Sequence, residues 1–109
     1  MKVENEEVIF DNIVTFNVLP KIPVDKFKPG DVTPSVLNCC NWITTNIGAV
    51  TVTKFDDGAD GQTIRVLGDG FTTVANNANI KTNTGANKLL LANKVYKFTY
   101  FNSVWIEDV

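Results

Sequence analysis

The stretch from Val50 to Glu107 constrains the fold more than any other part of the sequence. It reads VTVTKFDDGADGQTIRVLGDGFTTVANNANIKTNTGANKLLLANKVYKFTYFNSVWIE. Short β-type runs follow one another, and nearly every break between them is a cluster of Gly, Asp or Asn. No helix-length apolar period interrupts them, so the stretch must fold as a succession of short strands. Val50 and Val52 alternate with Thr51 and Thr53, which puts Lys54 with the valines and Phe55 with the threonines. Ile64 and Val66 alternate against Thr63 and Arg65. Phe71–Ala75 and Asn79–Thr82 give two more short strands, and Leu89–Ala92 is apolar. Val95, Lys97, Thr99 and Phe101 alternate against Tyr96, Phe98 and Tyr100, and Asn102-Ser103 makes a tight hairpin into Val104–Ile106. Asn tolerates left-handed backbone and bonds its own main chain, which suits it to these turns.

Upstream the pattern is looser. Residues 1–6 are polar and acidic. Glu7–Leu19 is β-like, with Val14, Phe16 and Val18 alternating against Thr15 and Asn17. Pro20–Pro34 holds all four prolines. Proline lacks an amide donor and fixes φ, so this segment is expected to be an extended arm that adds little to a sheet. Ile22, Val24 and Phe27 are too apolar for a solvated linker and are expected to be buried on a neighbouring subunit or on the main domain. Ser35–Asn46 is a strand or a short helical turn, with Trp42 as a core or interface anchor. The expected organisation is an arm over 1–34 and a compact β-domain over 35–109. The fold class is all-β, a β-sandwich or jelly roll.

Composition removes several function classes. The 109 residues suffice for one domain, and the net charge of −2 comes with scattered Lys and a single Arg. No basic stripe marks a nucleic-acid binder. No secretory signal follows Met1, and no apolar run approaches a bilayer span. Histidine is absent and the only cysteines are the adjacent Cys39 and Cys40, which excludes a Ser-His nucleophile or a tetrahedral zinc site from one chain. Asp56, Asp57 and Asp60 form the one site-like cluster. Their spacing fails the calcium-loop pattern, with Gly58 at the third position and Leu67 at the twelfth, so a turn is expected and no metal or cofactor. Asp56, Asp60, Asp69, Glu107 and Asp108 could supply a carboxylate pair, but all lie at turns or the terminus, and nothing places two across a cleft. The expectation is no enzyme.

The terminal hairpin is apolar on both faces, and its charge is limited to Lys97 and the bordering Lys94 and Glu107. A monomer would leave one face partly wet, so a homo-oligomer is expected, with Phe101, Trp42 or Trp105 at the contact. Tyr100 is the candidate for stacking on a glycan.

The segment from about Trp42 to Glu107 resembles the C-terminal β-rich modules of bacteriophage tail fibres, tailspikes and related virion proteins. The resemblance is carried by Thr44-Thr45-Asn46 leading into VTVTKF, then DGQTIRVLGDGFTTVANNANIKT, then KVYKFTYFNSVWIE. It is a pattern of strands and turns: a D-G-Q turn, a G-D-G turn before a Thr-rich strand, and an aromatic strand, turn and W-x-E. The resemblance implies a homotrimer in a virion, made in the host cytoplasm, with other virion proteins and host-surface glycans as partners. The chain lacks the long shaft and catalytic β-helix of tailspikes, and its start at Met1 suggests a complete small protein or a cut piece. A head fibre, decoration or tail-fibre-type component attached through the arm is therefore expected, with a glycan-binding tip as the alternative.

Overall fold

The computed structural model describes residues 22–108. These residues form nine strands and no helix: β1 (Asp25–Lys26), β2 (Asn41–Ile43), β3 (Val50–Val52), β4 (Thr63–Leu67), β5 (Thr72–Val74), β6 (Ile80–Lys81), β7 (Lys88–Leu89), β8 (Val95–Phe101) and β9 (Val104–Glu107). They make two sheets. The larger has the order β1-β2-β4-β8-β9-β6 and the smaller β3-β5-β7. Strands β4, β8 and β9 pair antiparallel at the centre of the larger sheet. Its flanks, β1 on β2, β2 on β4 and β6 on β9, pair parallel. In the smaller sheet β3 and β5 are parallel, and β5 and β7 antiparallel.

The period-two pattern explains which side chains meet inside. Ile64 and Val66 of β4 point inward, as do Phe98 of β8 and Trp105 of β9, and the smaller sheet contributes Val52 and Val74. Aromatic rings run through this core. Phe27 stacks on Trp42 with centroids 4.9 Å apart, Phe55 lies 5.3 Å from Phe98, and Phe55 meets Trp105 edge-on at 5.6 Å. Both indoles find acceptors, the Cys39 carbonyl for Trp42 and the Phe55 carbonyl for Trp105. Burying rings this large therefore leaves no indole N–H unpaired.

Several expectations are met, and some are corrected. Asn102 and Ser103 both have positive φ, 51° and 68°, the primed hairpin geometry that matches strand twist. Asn38 and Asn93 also supply left-handed turns. Gly68 opens the G-D-G turn because a Cβ there would lie 2.2 Å from the Leu91 carbonyl oxygen. The alternation assigned to Val50–Phe55 breaks at Thr53. The backbone leaves the smaller sheet there: Thr53 N–H donates to Val32 O and Asp56 N–H to Pro34 O. That change of partner turns Phe55 into the core with Val52 and leaves Lys54 outside. The Pro-rich segment does contribute to a sheet, through β1. Two residues between Pro23 and Pro29 are enough to pair with β2 at an edge, where missing proline donors face no strand. The strand expected over Glu7–Leu19 lies outside the described residues.

Candidate functional site

The larger sheet turns one face to the core and the other outward. Register fixes the outward rows. Ile43 of β2 pairs with Leu67 of β4, which pairs with Val95 of β8. The next row is Asn41, Arg65 and Lys97, and the one beyond joins Thr63, Thr99 and Ile106. Phe101 opposite Val104 closes the face at the hairpin end. Val95 and Phe101 are 61% and 57% exposed. At the opposite edge, before β1, Ile22 and Val24 are 65% and 60% exposed. Together with Ile43, Leu67 and Val95 they wall a groove of about 390 Å³, with Arg65 and Asn41 at its polar side. The Arg65 Nε donates to Asn41 Oδ1 at 2.8 Å, which holds the guanidinium over the sheet.

The residues singled out from sequence separate into two groups. Ile22, Val24 and Phe101 are on the surface. Phe27, Trp42 and Trp105 are enclosed in the chain's own core. Tyr100 is half-buried, with its ring 4.7 Å from that of Trp105.

Each carboxylate has a separate partner. Asp57, at φ 65°, accepts from Ser35 Oγ at 2.5 Å. Asp60 accepts from the Asn102 N–H at 3.0 Å, and Asp56 lies 3.8 Å from Lys54 Nζ. Gly58 between them packs on the Trp105 ring, where a Cβ would approach to 2.7 Å. Among the described residues no group of three or more potential ligands converges on a metal position.

Two carboxylates have roles that their sequence context understated. Asp69 accepts from the N–H groups of Asn46, Phe71 and Thr72 at 2.7–2.8 Å and from Thr72 Oγ1 at 2.9 Å. Burial pushes its pKa up, but these hydrogen bonds to the charged form outweigh burial and hold it below the ordinary value. The signal was an Asp two and three residues ahead of strand-opening N–H groups, the pattern of an Asx turn. Glu107 is 3% exposed at the end of β9, accepts from the Asn83 N–H at 2.9 Å, and pairs with Lys88 Nζ at 2.9 Å. Lys88 belongs to β7, so the pair ties the smaller sheet to the larger. The signal was an acid in register with the inward Trp105.

The surface thus shows an outward sheet face with apolar ends and no convergent reactive groups among the described residues. A family model for the phage depolymerase C-terminal beta sandwich domain matches residues 30–106. The chain belongs to this family. No curated protein and no solved structure matches it. The phage depolymerase C-terminal domain match takes in both sheets apart from β1, from the turn after β1 into β9, and agrees with the two-sheet, helix-free architecture of the described residues. Membership makes the chain a tail-associated structural part of a phage particle, a setting in which other virion proteins are its neighbours. Among the described residues no helix is long and apolar enough to cross a membrane.

Proposed function

We propose that this domain acts as a non-enzymatic assembly element that self-associates, with threefold order, and holds its place on the particle through that association. The observation that carries the reading is the outward face of the larger sheet. Ile22, Val24, Val95 and Phe101 leave large apolar surface in water there. Ile22, Val24 and Val95 share one apolar groove and Phe101 forms a separate apolar end of the face; apolar surface of this kind marks a contact. Threefold order rests on the resemblance to tail-fibre modules. Support for a non-enzymatic role comes from the carboxylates, whose hydrogen bonds go to backbone, Ser35, Thr72 and Lys88.

The test is a pair of outward substitutions, Val95→Asp and Phe101→Asp. Neither removes core, so each is expected to lower the assembled mass in solution while leaving thermal unfolding of the dilute chain unchanged. An assembly indifferent to both would contradict the reading. Release of new reducing ends from bacterial capsular polysaccharide by the purified chain would contradict its non-enzymatic part.

A further inference from the structure

We infer that the groove walled by Ile22, Val24, Ile43, Leu67 and Val95 is the seat for the Val14–Val18 segment of a neighbouring copy of the chain. This inference rests on the self-association proposed above and names the occupant of one contact. Three observations select that occupant. The first is shape. The groove runs from the segment just before β1 across β2, β4 and β8, three strand spacings or about 14 Å. Val14, Phe16 and Val18 present three apolar side chains at every second residue, over about 13 Å of extended chain.

The second is charge. The first eleven residues carry Glu4, Glu6, Glu7 and Asp11 against Lys2 alone. The face that holds the groove carries Arg65 in the row beside it, with Lys97, which pairs with Asp108 at 3.5 Å, next along that row. An acidic segment entering over that row meets opposite charge, which fixes direction as well as attraction.

The third is chain direction. The described chain begins at Ile22, in the wall of the groove itself. For its own Val14–Val18 to fill the groove, the backbone would have to reverse within Leu19–Lys21. The two-residue turns that most often join paired strands have positive φ at their first central position. Pro20 is locked near −65°, and the residue before it is held extended. The sequence of Leu19–Lys21 thus disfavours a short return from Ile22 into the same chain's groove. Residues 1–21 reach about 70 Å when extended, ample to arrive at the groove of a neighbour.

A benzophenone amino acid replacing Phe16 in the full chain tests this directly. Irradiation is expected to give a covalent dimer, with the adduct on Ile22–Val24, Ile43, Leu67 or Val95 of the second chain. Arg65→Glu and Val95→Glu, both outside the core, are each expected to weaken association at least about tenfold by placing like charge at the entry or a carboxylate in the seat. Adducts within one chain would overturn the inference. So would an intact oligomer whose adducts lie elsewhere and whose association ignores both substitutions, while self-association would stand. A monomer without adducts would remove both.

Discussion

At the scale of single residues, the half-buried Asp69 and the buried Glu107 behave as structural anchors, and each gives a measurable signature. Glu107 is the charged partner of Lys88, which is itself only 17% exposed. Removing one member of such a pair strands the other away from water. Glu107→Ala is therefore expected to cost about 3 kcal/mol in urea unfolding. Lys97→Ala is expected to cost less than about 0.5 kcal/mol, because the Lys97–Asp108 pair, 3.5 Å apart, is half in solvent. Equal costs would mean that the tie between the sheets is not the stabilising contact. Asp69 adds a pH dependence. Its folded pKa lies below the ordinary 3.8, so between the two values the unfolded chain binds the extra proton. Its contribution is complete above the ordinary carboxylate range and is lost as pH falls through the lowered folded value. Asp69→Asn is thus expected to be less stable than the parent at neutral pH, with the gap closing below about pH 4. A gap that widens on acidification would contradict the anchoring role.

At the scale of elements, legibility followed the length and regularity of the strands. Strand β4 and the β8–β9 hairpin alternate along their length, and their faces read directly from sequence, although Thr99 is buried on the outward side. The short strands β1, β3, β6 and β7 hold two or three residues each, too few for a period to declare itself. Parallel pairing of β3 with β5, or β6 with β9, leaves no local mark, since it joins segments twenty or more residues apart. The break at Thr53 was illegible for the same reason: its cause is Val32, on a segment distant in sequence. The Asn102-Ser103 turn, by contrast, was fully local. Serine at φ 68° is held in a region that costs an L-residue energy, and glycine there would complete the favoured Asn-Gly pair. Ser103→Gly is expected to raise stability by about 0.5–1 kcal/mol, seen as a higher denaturant midpoint at constant slope. A loss of stability would mean that the serine hydroxyl contributes more than the turn strain costs.

At the scale of the whole molecule, the sequence named the face but not all of the surface residues. The division of β8 into Tyr96, Phe98 and Tyr100 on one side and Val95, Thr99 and Phe101 on the other holds, with the first set inward. Val95 was legible as lying opposite Phe98 but gained its role only when β2, β4 and the segment before β1 assembled a groove beside it. Trp42 and Trp105 could not be divided from surface anchors by composition, because a large ring suits a core and an interface equally. A domain this small buries a limited share of its surface alone, and the outward rows are where that shortfall shows. The most direct test is sedimentation velocity on the full chain, termini intact, at tens of micromolar. The expected result is a single species of three times the chain mass that dissociates on Val95→Asp. A monomer that persists across that concentration range would contradict the assembly role.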